Sequence, residues 1–445
     1  MTHHERFDFK NLADLEAKIV SLGLDIRLDT DLKPLGRRVK IGALETPNSL
    51  AIHPLEGRDG TPGGKPGEFT FRRYQRFAEG GAGLIWFEAT AVVPEGRASP
   101  RQLLLNEENL SAFKELLLRV EQSAVAAYGP AHRPVTVLQL THSGRSSKPV
   151  PVIAVHDETL DAKLGLPSDY PLVSDGELEA LEDRYVEAAK LAHQVGFRTV
   201  DIKACHGYLV SELLAARIRP GRYGGSFENR TRFLINIVEK IRKQVGSDLA
   251  LTVRLNAYDG IPYPHGWGVS QGDMAQEDLA EPIRLVRLLY DQGVRVVSIS
   301  AGNPYYNPHF SRPFDMPVQG GAIPGEHPLQ GVARLFRITR QIQQAVPEMV
   351  IVGTGYSWLR QFLGYAAAAN IRNGWVTIVG VGREALAYPD FARDLLTKGE
   401  LDPKKTCITC SRCSQLMRDG GAAGCVTFDP EVYRSIYKRL RAEKE

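Results

Sequence analysis

The segment Asp201-Ile-Lys-Ala-Cys-His-Gly-Tyr208 marks the exit of a predicted β-strand, Thr199–Lys203, into a group of polar residues. Three of them, Lys203, His206 and Tyr208, fall within six positions at this exit. In a (β/α)₈ barrel the C-terminal ends of all the strands open into one mouth, where catalytic groups lie. Lys and His can donate hydrogen bonds to a carbonyl oxygen, and Tyr can donate a proton. The segment therefore predicts a strand end and a candidate active site together.

Short apolar, β-branched runs alternate with longer amphipathic segments on both sides of this segment. Helical patterns such as Glu177–Val195 and Glu228–Val245 separate the runs. Crossover helices make consecutive strands pair in parallel, and eight such units close into a barrel. We therefore predict the α/β class, as a (β/α)₈ TIM barrel with an N-terminal extension and a cysteine-containing C-terminal tail. The eight predicted strands are Ser49–His53, Gly83–Ala89, Val135–Leu140, Thr199–Lys203, Leu249–Leu255, Val294–Ser300, Met349–Gly353 and Val376–Gly380.

The chain divides into three predicted parts. Residues 1–36 form an N-terminal helical extension, residues 37–399 the barrel, and residues 400–445 a tail with a cysteine cluster and a final basic helix. Two stretches rich in Gly and Pro, Gly57–Gly67 and Gly302–Gly325, interrupt the alternation after predicted strands. Long loops of this kind are usually functional. We expect both at the mouth of the barrel.

The composition excludes several classes of function. Charged residues make up 24% of the 445, the formal net charge is only +3, and basic residues are spread along the chain, which argues against a nucleic-acid partner. The first residues, Met1 to Arg6, lack the apolar stretch of a signal peptide. No apolar run reaches the roughly 18 residues that a membrane span requires. We therefore expect a cytoplasmic protein without a membrane partner.

The motif around His206 and Tyr208, together with Arg222-Tyr-Gly-Gly-Ser-Phe-Glu-Asn-Arg230, resembles the signature of the old yellow enzyme (NADH:flavin oxidoreductase) family. The resemblance covers about residues 37–429 and extends to the barrel domain of 2,4-dienoyl-CoA reductase. It implies that His206, together with Lys203, holds a substrate carbonyl oxygen and that Tyr208 donates a proton. Lys203 stands where the family usually has His. A cation there would favour a substrate with anionic or enolate character, or would form a structural ion pair; both interpretations stay open.

The resemblance also implies an FMN cofactor with NAD(P)H as the hydride donor. Arg254 lies alone in an apolar strand, so an anionic partner is expected, and in the family this Arg faces the N1–C2=O edge of the flavin. Two Gly-containing turns after the last two strands suit a phosphate. The predicted cofactor-binding residues are Pro54, Leu55 and Glu56 after strand one, Ala89, Gln139 and Arg254 at other strand ends, and Gly353, Thr354, Gly355, Gly382 and Arg383 at the phosphate.

Glu56 departs from the family pattern, which has Thr or Cys at this position near the flavin ring. An ionised carboxylate there would disfavour additional negative charge on the reduced flavin. The alternative is that Glu56 faces solvent or pairs with a basic group.

The tail carries four of the five cysteines in the pattern Cys407-x₂-Cys410-x₂-Cys413-x₁₁-Cys425. Thiolates at this spacing suit a [4Fe–4S] cluster or a zinc ion, and free thiols or a disulfide are the other outcomes. The dienoyl-CoA reductase and trimethylamine dehydrogenase relatives carry a similar stretch with one more residue in the middle gap. The four cysteines are therefore candidate metal ligands.

The resemblance implies an FMN-dependent oxidoreductase that reduces activated C=C bonds with NAD(P)H. Its partner is then a small molecule with an activated alkene. One alternative is a flavin-dependent desaturase or demethylase that passes electrons to a carrier. Others are a non-catalytic flavin or Fe–S electron-transfer protein, and an aldolase-like phosphate-binding barrel without flavin. A homo-oligomer and an electron-transfer partner are both compatible with the family.

Overall fold

The computed structural model describes residues 3–444, and in this range eight parallel strands form a closed barrel. All eight predicted strands are present, each within two residues of its predicted ends. The prediction of a TIM barrel is confirmed. After a short hairpin, β1 (Val39–Ile41) and β2 (Leu44–Thr46), the barrel strands are β3 (Leu50–Ile52), β4 (Leu84–Ala91), β5 (Val135–Thr141), β6 (Thr199–Ala204), β7 (Ala250–Asn256), β8 (Val296–Ser300), β9 (Val350–Gly353) and β10 (Ile378–Val381). The strands follow chain order around the barrel, and β10 closes it by pairing with β3.

Helices surround the barrel and extend into both termini. The predicted N-terminal helix and final helix are present, although residues 1, 2 and 445 of the predicted terminal parts lie outside the described residues. Within the described range, no helix is both long and apolar enough to cross a membrane. The helices are α1 (Leu12–Ser21), α2 (Glu68–Glu79), α3 (Leu110–Tyr128), α4 (Glu158–Leu164), α5 (Asp175–Val195), α6 (Leu209–Ala215), α7 (Phe227–Val245), α8 (Ala280–Asp291), α9 (Pro308–Ser311), α10 (Pro328–Ala345), α11 (Leu363–Arg372), α12 (Arg383–Ala387), α13 (Phe391–Thr397), α14 (Arg412–Arg418) and α15 (Pro430–Ala442).

The hairpin of β1 and β2 covers the N-terminal end of the barrel. Val39 and Ile41 pack into one apolar cluster with Ala51, Leu84 and Trp86, which lie on the first two barrel strands. The hairpin was not predicted, because strands of three residues are too short to show a periodicity. It leaves the opposite end, the mouth, as the open face of the barrel.

The strand register brings the predicted site residues together at the mouth. Lys203 on β6 is the register partner of Arg254 on β7, and Asn256 on β7 is the partner of Ser300 on β8. All four are buried. Since inward-pointing residues of adjacent barrel strands share one interior layer, the register alone places two cations side by side.

A buried ion network anchors the loop that follows β3. Arg73 on α2 pairs with both Asp59 in the loop and Glu88 on β4. The backbone N–H of Gly57 donates to Glu88 Oε2 at 2.7 Å. Burial raises the pKa of Glu88 to about 7, although the Arg73 guanidinium opposes the rise. The network therefore holds the chain next to Glu56 in place.

The tail from residue 400 packs against both Gly/Pro-rich loops at the mouth. Ala423 N–H donates to Gly57 O at 2.6 Å, and Arg58 Nη1 donates to Met417 O at 2.9 Å. On the other side, Gln319 N–H donates to Gln415 Oε1 at 2.8 Å. The loops Gly57–Gly67 and Gly302–Gly325 do lie at the mouth, as predicted, and the tail bridges them.

Replacing Arg73 with Met should lower the free energy of unfolding by about 3–5 kcal/mol, because two buried carboxylates lose their cation. Denaturant unfolding measures this change. Arg119→Met is the control, since its pair with Glu115 is about half exposed and contributes about 0.3–0.5 kcal/mol. Equal losses in the two variants would contradict a stabilising role for the buried network.

Candidate active site

Three predicted site residues form one contact group at the mouth. Lys203 Nζ lies 2.9 Å from Glu56 Oε1, and the Tyr208 hydroxyl donates to the same oxygen at 2.6 Å. Lys203 Nζ also lies 3.4 Å from the centre of the Tyr208 ring. The ion pair that was considered for Lys203, and the basic partner that was considered for Glu56, are thus the same contact. We call these three residues the mouth triad.

The charges of the mouth triad favour a protonated Tyr208. Burial, followed by the charge of Glu56, raises the pKa of Tyr208 well above its ordinary value. Burial alone would raise the pKa of Glu56, but the charges of Lys203 and Arg58 outweigh it and lower that pKa. At neutral pH the group therefore holds an ionised carboxylate and a neutral phenol that keeps its proton.

His206 faces the same space from a strained position. Its φ is +65°, in the left-handed region, and Gly207 follows at +70°. This turn brings His206 Nε2 to 3.0 Å from the Ser300 hydroxyl. Burial, and then the nearby charges of Arg254 and Lys203, lower the pKa of His206 well below its usual value. The ring is neutral at pH 7 and can donate one N–H to a substrate oxygen.

Gly207 is required in this turn for a second reason. A Cβ at Gly207 would lie 2.5 Å from the Asn303 side-chain amide, in the loop after β8. A side chain at residue 207 would therefore push this loop away from His206.

Arg254 is a buried cation without a carboxylate partner in the described residues. Its Nε and Nη1 atoms have no hydrogen bond, and burial lowers its pKa. The thiol of Cys205 is its neighbour. A buried guanidinium with free N–H groups costs free energy unless an anion or a polar ligand meets it. The chemistry of this site therefore fits an electron-rich edge of a bound cofactor, as predicted for Arg254.

Gln139 and Ala89 lie at neighbouring strand ends with part of their polar capacity already in use. Gln139 Nε2 donates to Asp201 Oδ2 at 2.5 Å, and Ala89 O accepts from Gln102 Nε2 at 2.9 Å. Burial raises the pKa of Asp201 to about 6. The Asp201 contact orients the Gln139 amide. The assignment of Gln139 to the flavin pyrimidine stays a prediction.

The two predicted phosphate turns lie next to each other after β9 and β10. Gly355 has a φ of +102° and precedes a 3₁₀ helix, Tyr356–Phe362. Gly382 precedes α12, and a Cβ there would lie 3.3 Å from Leu55. The assignment of Gly353, Thr354, Gly355 and Gly382 to a phosphate stays a prediction. The assignment of Arg383 stays a prediction too: its side chain lines the pocket of the cysteines and its Nη2 donates to Pro313 O at 2.6 Å, whereas its Nη1 has no hydrogen bond.

The four tail cysteines line the same pocket. All of them are free thiols, so the disulfide alternative is absent from this structure. Thr409 and Ser411, between the first three cysteines, have φ values of +48° and +56°. The Phe428 N–H donates to Cys425 Sγ at 3.3 Å. These turns and the N–H···S contact belong to the chain that brings the four thiols to one pocket.

Among residues 3–444, no group of three or more His, Cys, Asp or Glu side chains is placed to hold a metal ion. The assignment of the four cysteines as ligands of an iron–sulfur cluster or of zinc therefore stays a prediction.

Sequence reasoning missed functional candidates that only the fold brings into the mouth. His53 is buried, its Nε2 donates to Gly353 O at 3.2 Å, and it packs so closely on Gly380 that a Cβ there would lie 2.3 Å from its ring. Arg312 faces both His206 and Cys413, and its side chain has no hydrogen bond or ion pair with any described residue. The pattern His-Pro after strand one was a visible signal, whereas Arg312 lies in an irregular loop without one.

The chain matches the model of a family described as NADH:flavin oxidoreductase / NADH oxidase over residues 38–280, more than half of its 445 residues. The chain belongs to this family. The matched range contains the first five barrel strands and the mouth triad. The predicted family resemblance is confirmed, and with it membership in a group of oxidoreductases.

Two curated relatives illustrate the range of the family. An NADPH dehydrogenase of Bacillus pumilus is 32% identical over 251 residues, which cover 54% of this chain and 64% of that protein. A bilirubin reductase of Mediterraneibacter gnavus is 26% identical over 405 residues, which cover 87% of this chain and 55% of that protein. The chain thus spans less than two thirds of the length of either relative.

Solved structures share the fold. A 2-naphthoyl-CoA reductase bound to 2-naphthoyl-CoA gives a TM-score of 0.70 at 20% identity, covering 91% of this chain and 58% of that one. An old yellow enzyme homologue from Zymomonas mobilis gives 0.60 at 21% identity, covering 83% and 94%. Similarity at these identities establishes the barrel architecture.

Arg254→Met should weaken FMN binding by about 10- to 100-fold, because a hydrogen bond to a charged group contributes about 1.5–3 kcal/mol. The same change should leave the melting temperature of the flavin-free protein unchanged or higher, since it removes an unpaired buried charge. Fluorescence titration with FMN and thermal melting with and without FMN measure the two effects. Arg334→Met, which loses a pair with Glu326 and the stacking on Phe310, is the control. Unchanged FMN affinity in Arg254→Met would refute the assignment.

Proposed function

We propose that this protein is an FMN-dependent oxidoreductase that reduces an activated C=C bond with NAD(P)H. The observation that carries the proposal is the meeting of His206, Tyr208 and the unpaired Arg254 at one barrel mouth. A hydrogen-bond donor for a carbonyl oxygen, a protonated phenol and a buried cation for the cofactor are the three groups that this reaction needs.

FMN would be held by residues at or after six of the barrel strands. Arg254 would meet the pyrimidine edge together with Gln139, and the turns at Gly353–Gly355 and Gly382 would supply backbone N–H groups to the phosphate. Pro54, Leu55 and Ala89 would line the ring. When bound, FMN supplies the hydride transfer from NAD(P)H to the substrate.

Side chains of the protein bind the substrate carbonyl oxygen and donate the proton. His206, neutral and anchored on Ser300, donates an N–H to the substrate carbonyl and stabilises the negative charge that develops there. Tyr208 delivers its proton to the α-carbon. The alkene thus gains a hydride on one carbon and a proton on the other. Lys203, which contacts Glu56, acts on this step through Tyr208 rather than by binding the oxygen.

We also propose that Cys407, Cys410, Cys413 and Cys425 hold a [4Fe–4S] cluster. The shared cavity and the N–H···S contact at Cys425 support this cluster. The charge of Arg312 acts on both Cys413 and His206, which supports a short separation between the cysteine pocket and the mouth. This proximity favours a second candidate function, in which the substrate is oxidised and its electrons leave through the cluster to a carrier.

Tyr208→Phe should lower the rate of enone reduction by about 10²–10⁴-fold, because the proton donor is lost. His206→Ala should lower the same rate through loss of oxyanion stabilisation. Reduction of the bound flavin by NAD(P)H, followed in a stopped-flow instrument, should keep its rate in Tyr208→Phe. Full enone turnover in both variants would refute the assigned roles.

Protein purified without air should contain about four iron and four sulfide per chain, as a [4Fe–4S] cluster requires. Cys410→Ala should lose iron while it keeps FMN, and Cys205→Ala, outside the cavity, should keep both. Zinc in place of iron, or no metal at all, would refute the cluster. Reduction of an artificial electron acceptor that depends on Cys410, without enone turnover, would establish the second candidate function instead.

A further inference from the structure

Glu56 makes two contacts with one oxygen atom. Oε1 accepts from the Tyr208 hydroxyl at 2.6 Å and from Lys203 Nζ at 2.9 Å. The side chains of Glu56 and Lys203 are 12% and 5% exposed, so water competes little for either contact. A phenol bound to a carboxylate at this distance forms a charge-assisted hydrogen bond, which holds the phenol oxygen in place while its one proton points at Glu56.

We propose that Glu56 is a positioning residue, which holds the Tyr208 phenol oxygen in place between catalytic cycles and pairs with the Lys203 ammonium, so that His206 alone holds the substrate oxygen. The inference rests on the proposed function, in which Tyr208 protonates the substrate. It extends that function, because a residue predicted to contact the flavin acquires a role in proton delivery.

The lengths of the side chains support this role. Glu56 follows β3, whereas Lys203 and Tyr208 belong to the exit of β6, so the carboxylate reaches across the mouth to meet both. Lys203 Nζ lies over the Tyr208 ring at 3.4 Å from its centre. Without Glu56 this ammonium would face the phenol with no counter-charge. The pair therefore keeps the surroundings of Tyr208 close to neutral.

Other charged and titratable groups surround the Tyr208 phenol and the Glu56 carboxylate. Arg58 and Tyr305 face Tyr208, in addition to Glu56 and Lys203. Around Glu56, Glu88 and Cys205 are further titratable neighbours. The carboxylate raises the pKa of Tyr208, after burial, whereas Arg58 lowers it. Removing the Glu56 charge leaves Lys203 and Arg58 unopposed, so the pKa of Tyr208 must fall.

The test is a pH titration of the tyrosinate absorbance of the FMN-loaded protein. Glu56→Gln should bring the Tyr208 transition to lower pH by about one unit or more, the size of shift that a neighbouring charge produces. The double variant with Tyr208→Phe should lack this transition, which assigns it. Lys203→Met should move the transition in the opposite direction. An unchanged midpoint in Glu56→Gln would overturn the inference.

Kinetics provide a second reading of the same change. A proton donor is competent only below its pKa, so the basic limb of the pH profile for enone reduction should move to lower pH in Glu56→Gln. The profile for flavin reduction by NAD(P)H should stay in place. If the protein reduces enones but the basic limb does not move in Glu56→Gln, the inference about Glu56 fails while the proposed function stands.

Controls separate charge from folding. Glu326→Gln removes another carboxylate from the mouth side, where it pairs with Arg334, and should leave the Tyr208 transition unchanged. Glu56→Asp keeps the charge, so its midpoint should stay closer to wild type than that of Glu56→Gln. If the wild-type protein reduces no enone, the proposed function fails, but the tyrosinate titration still decides whether Glu56 controls Tyr208.

Discussion

A buried charge is stable only when an opposite charge or a hydrogen-bonding ligand meets it, and the mouth of this barrel depends on that constraint. Lys203 satisfies it inside the chain, through Glu56. Arg254 and Arg312 do not, since neither pairs with a carboxylate of the described residues. Because these two cations lack a carboxylate partner, the mouth is suited to bind electron-rich groups. Lys203 therefore acts on the Tyr208 side chain, whereas Arg254 and Arg312 are available to bind a ligand.

The barrel could be predicted from the sequence because each strand carries its own signal. Apolar β-branched runs alternate with helical patterns, and eight such units leave one arrangement that closes. The cysteine spacing was equally local, within nineteen residues from Cys407 to Cys425. The β1–β2 hairpin was missed because three residues cannot display a period. Local patterns therefore predicted the strands and helices of the barrel but not the short hairpin that covers one end of it.

The same distinction between local sequence patterns and long-range contacts applies to the candidate site. Lys203, His206 and Tyr208 are visible as a motif, since they lie together in the chain. The contact between Glu56 and Lys203 joins residues 147 positions apart, and nothing in either local pattern specifies it. From the sequence, an ion pair and a ligand contact were both open for Glu56 and for Lys203. Nothing in the sequence indicated that the two residues contact each other. Arg383 shows the same limit, because nothing in its local sequence indicated that its side chain lines the pocket of the cysteines.

The bridging position of the tail has a consequence for engineering. The loops Gly57–Gly67 and Gly302–Gly325 are bonded to the same tail through Ala423 and Gln415. Loops of a TIM barrel are usually treated as independent modules that can be exchanged one at a time. Here a transplanted loop would lose its anchor unless the matching part of the tail came with it. Recombination between family members should therefore preserve the loops and the tail as one inherited block.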